Sequence, residues 1–233
     1  MIDIHTHVLP GIDDGARNLE ESAQLVETLR NQGISLIVLT PHFYPHRESL
    51  DSFVERRENA FKMIKGFDDE IGFVLASETF LTENLMWYDN IESLCLGNTN
   101  YLLLELPFTK VWTNRTYKMI EGLMGKFGIQ PIIAHIERYD AMLDKGDRES
   151  ILHILSDIGC MFQIDIDSVI NLRTRHGMLK LINKGWIDFV GSDCHDMTSR
   201  SPQFNKFNEI IKKKLGQEYL DNFEKNAAKI LKI

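Results

Sequence analysis

The sequence predicts an α/β fold: one domain over residues 1–233, in which parallel strands alternate with helices and close into a barrel. Three observations carry this expectation. Short β-branched runs alternate with amphipathic stretches about seven times, which is the pattern of a parallel sheet covered by helices. A histidine or carboxylate follows almost every run; a barrel gathers its C-terminal strand ends on one rim, where an open sheet would spread them along a line. The length of 233 residues suits one α/β barrel, and no Gly/Ser linker or change of composition marks a second unit.

The first strand, MIDIHTH, ends in His5 and His7. Side chains alternate across a strand, so these two imidazoles share a face and can share a metal ion. The turn IDDG follows, with Asp14 as candidate ligand and Asp13 as turn cap or its substitute. Asn18 suits the N-cap of a helix to about Asn31, with Glu20 and Glu21 in its first turn and Leu25, Val26 and Leu29 inward. ISLIVLT (34–40) reads as a buried strand stopping at Pro41 and His42. A helix over 49–65 turns Phe53, Ala60, Phe61 and Ile64 inward. The third strand, 71–76, stops at Ser77 and Glu78, and 82–99 is less regular. YLLLEL (101–106) is the fourth strand, interrupted by Glu105. A helix over 115–127 closes at Gly128, and IQPIIAH ends the fifth strand at His135. A helix over 147–158 leads to CMFQID, with Asp165 at its end. After a helix over 168–184, WIDFVGSDCH ends in Asp193 and His195. The tail, 203–231, reads as one or two amphipathic helices with Lys212 to Lys214 on a solvated face.

Composition narrows the function. A formal net charge of -8 lacks the basic footprint of a nucleic-acid binder. Cys95, Cys160 and Cys194 are odd in number and form no CxxC pair, which suits buried thiols in a reducing cytoplasm. No signal segment and no long apolar span appears, so no membrane insertion is expected.

His5, His7, Asp14, His42, Glu78, Glu105, His135, Asp193 and His195 all fall at strand ends. Glu105 lies inside an apolar run and demands a cationic partner. Asp193 and His195 repeat the spacing of His5 and His7 on the last strand, which a barrel places beside the first. Imidazole and carboxylate without thiolate suit manganese, iron or zinc. These donors are too many for one ion and suit two or three, with a bridging carboxylate. Cys194 points away by strand alternation and packs. Phe43, Tyr44 and Trp112 are candidates for a phenol-accepting rim, and Tyr139 for a substrate contact. His46, His153 and His176 fall outside the strand-end pattern.

MIDIHTHVLPGIDDGARN, TPHF, SE at Glu78, LELP, AHIERYD and SDCHD occur in this order along the whole chain. They resemble the PHP (polymerase and histidinol phosphatase) superfamily, and within it the bacterial capsule-type tyrosine-protein phosphatases. The resemblance implies a distorted (β/α)7 barrel with the active site at the C-terminal strand ends. It implies three divalent ions, manganese first. One would take His5, His7, Glu78 and Asp193; a second Glu78 as bridge, Glu105 and His135; a third Asp14, His42 and His195. Arg138 in HIERY and Arg200 in SRSP match the arginines of the phosphate pocket. This chain carries Asp165, with Asp167 following, where the family often has asparagine.

Asp14, Glu78, Glu105 and Asp193 do not cancel three divalent cations, and the residual positive charge suits a phosphate-monoester dianion, which arginines can fork. The expected activity is hydrolysis of phosphotyrosine by metal-activated hydroxide. The expected partner is a phosphotyrosine protein, a bacterial tyrosine kinase controlling capsule or exopolysaccharide synthesis. The alternative is a small-molecule phosphomonoesterase of the histidinol-phosphatase type. A metal-dependent amidohydrolase would want a lysine where Glu105 stands.

Overall fold

The computed structural model describes residues 1–142 and 148–233. β1 (Ile2–Thr6) leads to α1 (Leu19–Asn31), β2 (Leu36–Leu39) and β3 (His42–Phe43). α2 (Leu50–Ile64) precedes β4 (Gly72–Leu75) and β5 (Glu78–Phe80). Two 3-10 turns, Glu83–Trp87 and Glu92–Leu94, occupy the irregular stretch before β6 (Tyr101–Glu105). There follow α3 (Asn114–Phe127), β7 (Gln130–Ile133), α4 (Arg148–Ile158) and β8 (Met161–Asp165). The chain ends with α5 (Asp167–Ile170), α6 (Leu172–Asn183), β9 (Phe189–Gly191), α7 (Phe204–Lys214) and α8 (Gln217–Leu231).

All the strand pairings are parallel. One hydrogen-bonded run is β1-β2-β4 and the other is β3-β5-β6-β7-β8-β9. They meet beside β1, where Asp193 N donates to His5 O (2.8 Å) and His7 N to Cys194 O (3.0 Å). The protein is thus mixed α/β with a curled, half-barrel parallel sheet. Leu103 of β6 clusters with Val38, Ile132 and Phe189, whereas Leu102 and Leu104 join Ile120 and Leu123 under the helices. That alternation is what a strand buried on both faces requires.

Two short strands appear beyond the expected ones. After the second expected strand stops at Thr40 and Pro41, the chain resumes as β3 on a different partner, β5. Proline has no N–H to give the ladder; Thr40 Oγ1 instead donates to Thr6 O (3.0 Å) and accepts from Thr6 N (2.9 Å). After the third expected strand ends, the chain passes Ala76 and Ser77 and resumes as β5. The last strand is shorter than expected, because Asp193 turns left-handed at φ 50. The helix expected over 168–184 divides at Asn171, whose side chain accepts from Arg173 N (3.0 Å) and starts α6. Position 147, the expected start of another helix, lies outside the described residues. Asn18 caps α1 as expected, accepting from Glu21 N (3.0 Å). Among the described residues, no helix is long and apolar enough to cross a membrane.

Candidate metal centre

The curl of the sheet brings the donors of β1, β3, β5 and β9 together. His5 and His7 are fully buried, and their Nε2 atoms lie 3.2 Å apart. Glu78 Oε2 stands 3.2 Å from His5 Nε2 and 3.3 Å from His7 Nε2. Asp193 Oδ1 stands 3.4 and 3.2 Å from the same two nitrogens. Ligands about 2.1 Å from one ion sit roughly 3.0 to 3.4 Å from each other. The four donors therefore have the mutual spacing of one coordination shell.

Two further sets adjoin. Asp14 Oδ1 lies 3.3 Å from both His42 Nε2 and His195 Nε2, and His7 borders this group. Glu78, Glu105 and His42 form the other, with donor atoms within 4.8 Å of one another. His135 Nε2 reaches Glu78 Oε1 at 2.6 Å and Glu105 Oε1 at 3.7 Å. Glu78 thus presents one oxygen to His135 and the other to His5, His7 and His42, as a bridging carboxylate must.

Glu78 Oε2, Asp193 Oδ1 and His195 Nε2 are buried without a hydrogen-bond partner among the described residues. Orphaned polar atoms are costly. Here their lone pairs converge on common points, so the residues fit divalent ions. The outer shell agrees. His5 Nδ1 pairs with Gln163 Oε1 (3.3 Å), His7 Nδ1 with Asp13 Oδ2 (2.8 Å) and His195 Nδ1 with Asp193 O (2.9 Å). An N–H donated outward fixes the tautomer whose Nε2 lone pair faces inward. Asp13 also accepts from the amides of Gly15 and His42, both at 3.0 Å, so it caps the turn and orients a ligand. His135 and Asp193 hold positive φ values of 30 and 50; side chains pay strain there, and such strain gathers at functional sites.

The electrostatics follow from crowding. Burial works against a charged His42, but Glu78 and Asp14 outweigh it and raise its pKa to about 9. His135 is likewise raised to about 9 by Glu78 against burial. Burial, reinforced by Glu78, pushes Glu105 up to about 7. These protons must leave before the same atoms can bind a cation. Apparent manganese affinity of the metal-free chain is therefore expected to climb steeply from pH 7 to 9 and flatten above. Raised histidine pKa values stabilise the metal-free fold below about 6.5 and lose that contribution as pH passes 9. Melting temperature of the metal-free chain should accordingly fall over that window; titration calorimetry and thermal melts at stepped pH measure both effects.

Asp193 turns its other oxygen, Oδ2, to Arg138 and Arg200. Arg138 also reaches Asp165 Oδ2 (2.6 Å), and the two arginine side chains remain 37% and 31% exposed. Both guanidiniums thus sit beside the cluster with room to meet an anion. Other expectations need correction. Phe43 is fully buried against Phe53, and Trp112 is 5% exposed with Nε1 donating to Pro107 O (3.0 Å). Tyr139 is fully buried and its hydroxyl accepts from Leu106 N (2.9 Å). All three pack rather than face solvent: Phe43 lies within β3 itself, and the segments after β6 and β7, which carry Trp112 and Tyr139, fold back onto the core. Tyr44 stays half-exposed beside His42.

Sequence reading passed over Asp3 and Gln163. Asp3 is fully buried and accepts from Ser192 N (2.9 Å) and Ser192 Oγ (2.6 Å). Gln163 Oε1 accepts from His135 N (2.7 Å) and its amide donates to Asp165 Oδ1 (3.1 Å). Each stands two residues before a noticed polar residue, so strand alternation was the available signal.

The model of the family "Capsular polysaccharide synthesis, CpsB/CapC" matches residues 1–232. The tyrosine-protein phosphatase CpsB of Streptococcus pneumoniae is 30% identical, over 99% of this chain and 98% of its own. CpsB of Streptococcus agalactiae serotype V, also a tyrosine-protein phosphatase, is 28% identical over 100% of this chain and 98% of its own. A solved structure from work on YwqE of Bacillus subtilis and CpsB of Streptococcus pneumoniae, described as metal-dependent tyrosine phosphatases, superposes with a TM-score of 0.84 at 26% identity. That match covers 100% of this chain and 94% of the other.

Proposed function

The chain belongs to the CpsB/CapC family of capsular polysaccharide synthesis, and on that premise we propose that it is a metal-dependent tyrosine-protein phosphatase, a phosphoric monoester hydrolase. Its substrate is a phosphotyrosine protein of capsule or exopolysaccharide synthesis, and we assign the bacterial tyrosine kinase of that pathway. The full-length relatives do not favour the small-molecule alternative. Three reduced, buried cysteines support a cytoplasmic setting.

The carrying observation is the four-donor shell of His5, His7, Glu78 and Asp193, with spacings of 3.2 to 3.4 Å. We assign three divalent ions, manganese first. Glu78 would bridge the first set to Glu105 and His135, while Asp14, His42 and His195 hold the third. Their place in one barrel of residues 1–233 is supported by the pairing order: β2 with β3, and β4 with β5, each occupy one strand position. Nine segments then fill the seven positions of a distorted (β/α)7 barrel, with the donors at the C-terminal strand ends.

Divalent ions in these sets would supply neutralisation of the phosphate dianion and a water ionised near neutral pH. The protein's own part is positional. Asp193 holds a ligand oxygen inward while its other oxygen steers Arg138 and Arg200 to the same edge. An incoming phosphate offers those guanidiniums paired acceptors, which they bind as forks. The leaving phenol, with pKa about 10, departs more readily than an alkyl alcohol and needs less help from a general acid.

Metal content and phosphotyrosine-peptide turnover of the purified chain test this together. Chelation is expected to remove both, and added manganese to restore both. Turnover that survives complete metal removal would refute the assignment.

A further inference from the structure

Resting on the phosphatase reading above, we propose that Tyr44, Phe80 and Phe108 form an aromatic subsite that takes the substrate's phenyl ring and selects aryl over alkyl phosphate esters. β3, β5 and β6 are neighbours in the sheet. Tyr44 follows the first, Phe80 closes the second, and Phe108 lies just past the third. Phe80 stands level with Glu105 in the strand register. The Tyr44 ring lies 5.8 Å from Phe80 and 5.3 Å from His42. Phe108 stacks on His135 at 5.9 Å, with the planes 25° apart. Those two histidines reach Glu78 at 2.9 and 2.6 Å, so aromatic rings flank the carboxylate common to the donor sets.

Phe108 is the telling residue. It is 52% exposed, yet its ring rests 5.0 Å from that of Tyr139, which is fully buried. A phenyl group held on a rigid aromatic base offers an open face without having to be ordered first. Arg138 and Arg200 come instead from beyond β7 and β9, and both meet at Asp193. Arg138 and Arg200 thus approach the cluster at Asp193 and the aromatic rings approach it at Glu78, with the Arg47 guanidinium seated over the Tyr44 ring (4.4 Å to its centroid). A phosphate drawn to the arginines points its ester group toward the rings. A phenyl group covers them and dries them, whereas an alkyl chain lacks the flat face. One aromatic contact of this kind is worth roughly three- to tenfold in affinity.

Calorimetry on the manganese-loaded full chain, with phenylphosphonate and methylphosphonate as non-hydrolysable probes, measures that preference directly. The parent is expected to bind phenylphosphonate more tightly. Phe108→Ala should shrink the preference about three- to tenfold, Phe80→Ala should shrink it in the same direction, and Phe108→Tyr should keep most of it. An unchanged preference in both alanine variants at parental manganese content overturns the subsite, as does a parent with no preference. Phosphotyrosine-peptide turnover is read separately. A manganese-loaded parent without turnover fails the phosphatase reading; one with turnover but an unaltered phosphonate preference in the variants fails the subsite alone.

Discussion

Glu78→Gln is expected to lower phosphotyrosine-peptide turnover by at least about a thousandfold, near 4 kcal/mol of barrier. The substitution keeps shape and removes charge. Oε1 faces His135 at 2.6 Å, while Oε2 faces His5, His7 and His42 at 3.2, 3.3 and 2.9 Å. An amide can turn its oxygen to one side only, and its NH2 then meets groups arranged around an anion. One bridging position is lost, so bound metal per chain should fall as well. Elemental analysis, turnover and a thermal melt on the same preparation separate this from unfolding. A folded variant with full metal content and near-parental rate would remove Glu78 from the centre.

Gly191→Ala should damage both the fold and the site. A Cβ there would lie 2.5 Å from His5 Cβ, 3.0 Å from Gln163 Nε2 and 3.2 Å from His5 N. Backbone and a buried imidazole cannot both yield without moving. Overpacking of this kind costs about 1–3 kcal/mol, and each kcal/mol lowers Tm by roughly 2–4 °C for a domain of this size. The greater effect is geometric. Pushing His5 by about 1 Å misplaces a donor, and such displacement costs on the order of a hundredfold in rate. The expected result is a folded, somewhat less stable chain with far lower activity and reduced metal content. Parental activity at parental Tm would show that β1 and β9 have slack at this contact.

Much of the fold could be read along the chain because its signals are local. The apolar runs of β2 and β6, the cap at Asn18 and the spacing of His5 and His7 each depend on neighbouring residues only. The short strands β3 and β5, which follow the expected stops after β2 and β4, were less legible. There the chain changes partner strand, and no single stretch encodes its partner. The packing of Phe43, Trp112 and Tyr139 was hidden for related reasons: Phe43 falls in the unexpected strand β3, while Trp112 and Tyr139 lie beyond strand ends, where a residue can face solvent or fold back and the core decides. Gln163 and Asp3 could have been noticed by alternation, but their value lies in what they touch across the sheet.

By itself, the sequence determined the α/β alternation, the kinds of donor available and their places at strand ends, because periodicity and residue chemistry are written locally. Only the tertiary structure decided which donors stand together. His5 meets Asp193 because β1 and the segment after β9 exchange main-chain hydrogen bonds, and Glu78 reaches His5, His42 and His135 because the sheet curls. Proximity between residues so far apart in the chain is a property of closure, which no local pattern carries.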